Sequence, residues 1–414
     1  MILKKDVNIN MKVTCITGNY PDGQKVCAAK IEYPAPLDAF SIGPDCFEVE
    51  GRTITGFSVS GSTVTIGLDV NDADAALIPA PPRMGPPPGA PKPQGGPPAG
   101  GPPAGGPPFH MPAAVRRAPA VKVRQKEDIC FADGSTVPGS AEFVCSETSV
   151  EPVVEQFRQF QHKGLNYNLF IPENPNHDKL PLVYFLHDAG PCGDDPKLPL
   201  SQGNGAITWA KPEWQAKHPC YVLAPGIPRS VHLTKDNFTF ADELYILKEI
   251  IDLVADGYDV DKDRIYLTGQ SMGCMSSCEL NIQWPEQFAA SLLVAGQWSP
   301  ERMAQSCTKS KLWILVSQND AKAFPGMNAV TDALSEAGVK VGKYLWNAKS
   351  TPTEFEALAA GALADDVQVR YTVFQGSSVV PEGRDDGPGA NHVCTWPVVY
   401  EIESVKEWLF AQKR

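Results

Sequence analysis

From Phe157 to the C-terminus, short apolar runs alternate with segments whose apolar residues recur every three or four positions. The runs are PLVYFLH (181–187), CYVLAP (220–225), RIYLTG (264–269), ASLLVAG (290–296), KLWILVS (311–317) and VRYTVF (369–374). Between them stand DELYILKEIIDLVADGY (242–258) and GMNAVTDALSEAG (326–338), and EIESVKEWLF (401–410) closes the pattern. Continuous apolar strands separated by amphipathic helices predict a parallel sheet covered on both faces, an α/β doubly wound fold. In such sheets the chemistry gathers at the carboxyl ends of the strands.

The first 150 residues follow a different rhythm. KVTCITGNY (12–20), QKVCAAKIEY (24–33), RTITGFSVSG (52–61) and STVTIGLDV (62–70) alternate apolar and polar positions, with turn formers between them. Period-2 segments at this spacing predict a small antiparallel, immunoglobulin-like β-sandwich. From Pro79 the composition changes to PAPPRMGPPPGAPKPQ and then a five-residue repeat, GGPPAGGPPAGGPPF. A stretch with so little to bury is expected to be disordered or partly polyproline II. A proline-binding partner is the alternative to a solvated spacer. VKVRQKEDICFADG (121–134) and AEFVCSE (141–147) read as further strands, so residues 79–119 are expected to interrupt the sandwich. The expected division is a sandwich at 1–150 and an α/β domain at 151–414.

The totals narrow the function. A net charge of -12 and a pI near 5.1 argue against nucleic acid or an anionic membrane as the main partner. No apolar run approaches the roughly 18 residues that span a bilayer. No apolar segment follows Lys4 and Lys5, so a cytoplasmic protein is expected, or a secreted one if a leader was removed. The 11 cysteines contain no zinc-type pair of pairs and read as reduced thiols; disulfides in the N-terminal third would need an oxidising compartment. Asp194 and Asp195 lack further ligands at metal spacing, so no metal is expected.

The chemistry centres on TGQSMG. Gly269, Ser271 and Gly273 fit G-x-S-x-G between a predicted strand and a predicted helix, the setting in which a sharp turn exposes a nucleophilic serine. A serine hydroxyl needs a base. Of the seven histidines, His110, His162, His177 and His218 read as surface. His392, which follows the serine in a glycine-containing loop, is the candidate base, with His232 as the alternative. The acid is Asp320 at a strand end, or Asp385 or Asp386 in the loop before His392. Acyl transfer also needs two donors for an oxyanion. Met272 N–H at the helix start is one, and Asp188 or Ala189 N–H after the strand ending at His187 is the other. His187 is read chiefly as a support for that loop, with substrate contact the alternative.

PLVYFLHDAG, DRIYLTGQSMG, WPEQFAA, LVSQND and the C-terminal H-x-x-TWPVVY with EWLF occur in an order that resembles α/β-hydrolase esterases. The likeness is to the poly(3-hydroxybutyrate) depolymerase, feruloyl esterase and dienelactone hydrolase group, and nearest to bacterial esterases with an N-terminal immunoglobulin-like domain. The resemblance implies Ser271 as nucleophile, Asp320 as acid, His392 as base, small carboxylic esters as substrates and no cofactor. It also implies a sandwich that packs against the hydrolase and shapes its entrance or a homo-oligomer contact. Asp188 replaces a glycine common in relatives, and a carboxylate facing an oxyanion would oppose catalysis. It is therefore expected to turn away, to pair with a cation, or to select an unusual substrate; if it does oppose the oxyanion, Asp188→Gly should raise kcat. Cys274 replaces a third elbow glycine. TPTEFEALAAGALADD (351–366) and GSSVVPEGRDDGPGA (376–390) are expected to roof the pocket, with Trp298 touching substrate or simply packed. A peptidase using the same triad and a catalytically silent binding module are the competing readings.

Overall fold

The computed structural model describes residues 11–78, 115–139, 142–144, 147–149, 152–174 and 176–414. The Pro/Gly-rich stretch therefore lies outside the described residues as far as 114, and residues 115–119 are irregular chain. The N-terminal strands are β1 (Lys12–Tyr20), β2 (Gly23–Glu32), β3 (Phe47–Val49), β4 (Ile54–Ser60) and β5 (Thr63–Leu68). They continue after the stretch as β6 (Lys122–Gln125), β7 (Ile129–Cys130), β8 (Thr136–Val137), β9 (Glu142–Val144) and β10 (Glu147–Ser149). One sheet has the order β10-β1-β2-β5-β4 and another the order β3-β6-β9; β7 and β8 form a small ladder. Alternate side chains of β1 and β5 (Val13, Cys15, Val64, Ile66, Leu68) meet Phe47, Val49 and Val123 from the second sheet in one core. Burying one face of each strand is what the period-2 pattern encodes.

The second unit begins with a short helix, α1 (Pro152–Glu155), whose Val153 and Val154, with the following Phe157, already belong to its core. Its strands are β11 (Arg158–His162), β12 (Leu165–Phe170), β13 (Leu180–Leu186), β14 (Tyr221–Pro225) and β15 (Val260–Gln270). They are followed by β16 (Ala290–Val294), β17 (Leu312–Ser317), β18 (Val341–Trp346) and β19 (Val369–Phe374). The nine form one sheet in the order β11-β12-β14-β13-β15-β16-β17-β19-β18. β11, β12 and β14 pair antiparallel, and every pair from β14 to β18 is parallel.

The continuous apolar runs are explained by burial on both faces. In β13, Val183 and Phe185 point into one core while Leu182, Tyr184 and Leu186 point into the other. The helices are α2 (Leu198–Ser201), α3 (Pro212–Gln215), α4 (Glu243–Gly257), α5 (Met272–Gln283), α6 (Pro300–Ser306), α7 (Ala323–Glu336), α8 (Pro352–Ala364), α9 (Pro388–Val393), α10 (Thr395–Val399) and α11 (Glu403–Phe410). α3, α8, α10 and α11 supply Trp214, Phe355, Trp396 and Trp408 to the first face; α4 to α7 cover the second. Each large apolar side chain so buried contributes about 1.5–3 kcal/mol. This places α8 in the sheet's covering layer as the β18–β19 crossover, against Trp346 and α11, and not over the pocket as the sequence suggested. A helix with Phe355, Ala359 and Ala362 on one side has an apolar stripe to bury, and the sheet is where it is buried.

The β1–β2 hairpin packs on the second unit. Ser201 Oγ donates to Gln24 Oε1 at 3.0 Å, and Asn19 Nδ2 donates to the Leu200 carbonyl at 3.3 Å.

Candidate active site

β15 runs in the middle of the sheet and ends at Gln270; α5 begins at Met272, leaving Ser271 as the single joining residue. Its φ of 52° and ψ of -118° lie where side chains other than glycine are strained. The conformation is held by Ser271 N–H to Val294 C=O at 3.0 Å and Met275 N–H to Ser271 C=O at 3.0 Å. Both flanking glycines are sterically required. A Cβ at Gly273 would stand 1.9 Å from the Leu186 carbonyl oxygen, and one at Gly269 would stand 2.5 Å from Gly273 backbone. Cys274 is accommodated from the opposite side: Gly296 faces it, and a Cβ there would approach the Cys274 Cβ to 2.6 Å.

α9 brings His392 over this turn. Ser271 Oγ lies 2.8 Å from His392 Nε2, and His392 Nδ1 lies 2.5 Å from Asp320 Oδ2. An ionised carboxylate only accepts, so Nδ1 carries the proton and Nε2 is free to accept from the serine. Asp320 stands just past β17 and is 3% exposed. Its other oxygen accepts the N–H groups of Lys322 and Ala323, both at 3.0 Å, where α7 begins. Burial pushes the Asp320 carboxyl up, but the hydrogen bond and charge of His392 and the two N–H donors outweigh it, so the pKa is lowered. Asp385 and Asp386 are exposed and have no bond to His392, and His232 is exposed on its loop.

Asn391, next to His392, is a site residue that the sequence did not single out. It is fully buried, accepts from Ser317 Oγ at 2.9 Å and donates to the Asp386 carbonyl at 2.6 Å, fixing the start of α9 to the sheet. A polar residue beside a candidate base was the only available signal. Trp396 stands edge-on to the His392 ring at 5.3 Å.

The candidate oxyanion loop follows β13. His187 is 1% exposed and joins two strand ends: its Nε2 accepts Ile227 N–H at 3.0 Å, and its Nδ1 donates to the Asp188 carbonyl at 2.6 Å. Burial lowers its pKa and so favours the neutral ring, and the two hydrogen bonds select this tautomer. Asp188 turns its carboxylate onto Gly190 N–H at 2.7 Å and Gln270 Nε2 at 2.8 Å. Ala189 is exposed beside it. Met272, as the first residue of α5, has an N–H with no acceptor inside the helix.

The two candidate substrate contacts, His187 and Trp298, are both buried. His187 supports the loop from below. Trp298 is fully buried and donates to Glu279 Oε2 at 2.9 Å, while Arg302 Nη2 lies 2.5 Å from Glu279 Oε1. Trp298 therefore serves the packing between α5 and α6, because a buried glutamate needs its N–H. Among the described residues, no three His, Cys, Asp or Glu side chains converge as metal ligands, and no helix is long and apolar enough to cross a membrane.

Residues 12–138 match the family described as the esterase Ig-like N-terminal domain. The whole chain is similar to a solved thermostable esterase, with 27% identity, a TM-score of 0.74, and coverage of 97% of this chain and 100% of that one. A ferulic acid esterase (13% identity, TM-score 0.40, 61% of this chain and 96% of that one) is a more distant likeness. So is a dienelactone hydrolase described as putative from Klebsiella pneumoniae (12%, 0.37, 61% and 95%). The comparison with curated proteins returned no match. The domain match and the full-length likeness are consistent with an α/β-hydrolase-fold esterase that carries an N-terminal immunoglobulin-like domain.

Proposed function

We propose that the protein is a serine carboxylesterase that hydrolyses small or short-acyl esters through an acyl-enzyme. The observation that carries this reading is the unbroken hydrogen-bond chain from Ser271 through His392 to a buried, doubly held Asp320, seated on a strained strand-to-helix turn. His392 Nε2 accepts the Ser271 proton as Oγ attacks the ester carbonyl carbon, and Asp320 steadies the imidazolium that forms. The carbonyl oxygen becomes an oxyanion held by Met272 N–H and by an N–H of the 188–189 loop. His392 then protonates the leaving alcohol. Water, deprotonated by the same histidine, attacks the acyl carbon; the acyl–Oγ bond breaks, His392 returns the proton to Ser271 Oγ, and the acid leaves. Every atom moved belongs to the ester, to the water or to a proton passed through His392, so the reaction as written draws on no cofactor.

The test is turnover of p-nitrophenyl acetate and butyrate by wild type and Ser271→Ala. Turnover in the wild type that falls by at least about 10³-fold in the variant is expected. Equal turnover in both would place the chemistry elsewhere.

A further inference from the structure

We propose that Asp188 and Gln270 form a clamp that positions Ala189 N–H as the second oxyanion donor, an assignment that rests on the esterase reading above. In a trans peptide the C=O of one residue and the N–H of the next point in opposite directions. The Asp188 carbonyl is held by the buried His187 ring at 2.6 Å, so the Ala189 N–H is directed away from that ring. His187 itself is anchored to the end of β14 through Ile227 N–H. These bonds set the direction of the peptide but not its distance from the serine.

The Asp188 side chain supplies that distance. One oxygen accepts Gly190 N–H at 2.7 Å, which folds the loop back on itself. The other accepts Gln270 Nε2 at 2.8 Å, and Gln270 is the residue immediately before Ser271. The donor loop is thus referenced to the nucleophile through one side-chain pair. Gln270 is 1% exposed, so the amide that makes this bond has little room to move. Its Oε1 is buried with no protein partner. Both Asp188 oxygens are engaged by N–H groups, so the carboxylate acts on the loop and does not face the developing oxyanion. On this proposal the condition under which Asp188→Gly would raise kcat is not met, and a fall is expected.

The experiment measures kcat and KM for p-nitrophenyl acetate in Asp188→Ala, Gln270→Leu, the double variant and Asp188→Asn, with inhibition by a trifluoromethyl ketone as a second readout. Each single deletion is expected to lower kcat by about ten- to a hundredfold with KM nearly unchanged, since a donor is displaced and not a binding contact. Ketone affinity should weaken in parallel with kcat, which a merely structural role would not produce. The double variant should be no worse than Asp188→Ala alone, because that substitution already removes the Asp188–Gln270 bond that Gln270→Leu deletes. Asp188→Asn should recover most of the loss, because a flip of the Gln270 amide in place, with no shift of the side chain, puts its free Oε1 against the new Nδ2. A kcat for Asp188→Ala within twofold of wild type, or above it, overturns the clamp, as do single effects that multiply in the double variant. Failure of the esterase reading is distinguishable, because wild type itself would then show no Ser271-dependent turnover.

Discussion

Replacing Asp320 by Asn tests the acid assignment with little change in volume. The asparagine Oδ1 can keep the N–H groups of Lys322 and Ala323, which now hold the carboxylate at 3.0 Å. Its Nδ2 then faces His392 Nδ1, where the carboxylate accepts at 2.5 Å. A donor in that place favours the tautomer with the proton on Nε2, the nitrogen 2.8 Å from Ser271 Oγ. That nitrogen can no longer accept the serine proton. The corresponding substitution in other serine triads lowers kcat by about 10⁴-fold, equivalent to about 5 kcal/mol. The assay is kcat for p-nitrophenyl butyrate at neutral pH, with Asp385→Asn and Asp386→Asn as controls expected within twofold of wild type. A fall of less than about tenfold in Asp320→Asn, or a large fall in either control, would refute the assignment. Stability gives an independent check. The folded Asp320 carboxyl lies below its usual range, so it stabilises the fold above the unfolded carboxylate pKa of about 3.9. That contribution is lost as the pH falls through the lower folded value. The Tm difference between wild type and Asp320→Asn should therefore narrow on acidification below about pH 4; a gap that widens there would mean that the sign is wrong.

Two further substitutions probe the elbow and its support. Gly273→Ala puts a Cβ 1.9 Å from the Leu186 carbonyl, a backbone contact that no rotamer relieves, so soluble protein should show a lower Tm and lose nearly all turnover; wild-type kcat in this variant would contradict the geometry. Glu279→Ala leaves the buried Trp298 N–H and the Arg302 guanidinium without their acceptor, at a cost of about 3–5 kcal/mol. Differential scanning calorimetry should register a Tm drop of about 10 °C, and an unchanged Tm would mean that the pair is dispensable.

The fold was legible because its periods are strong. β13 to β17 are runs buried on both faces, and the α4 and α7 stripes repeat at helical spacing. That Ser271, Asp320 and His392 meet at the sheet's carboxyl edge was legible from a glycine-framed turn, a strand end and a late glycine-containing segment, which folds as α9. What was not legible depends on partners distant in sequence. Asp188 turns away because Gln270 stands 82 positions on, and Trp298 is buried because Glu279 sits inside α5. The parallel β1–β10 pairing joins segments on either side of the Pro/Gly-rich stretch, and alternation alone cannot specify a partner strand. The apolar stripe of α8 specifies that the helix packs but not where, so its place against the sheet is not legible from the segment alone.

The most direct measurement of the central claim is stoichiometric labelling with a fluorophosphonate probe, read by intact mass and peptide mapping on the full chain. One adduct per molecule on the peptide containing Ser271, absent in Ser271→Ala and strongly slowed in Asp320→Asn, is the predicted result. No adduct on folded wild type, or one on another residue, would contradict a working serine at this elbow.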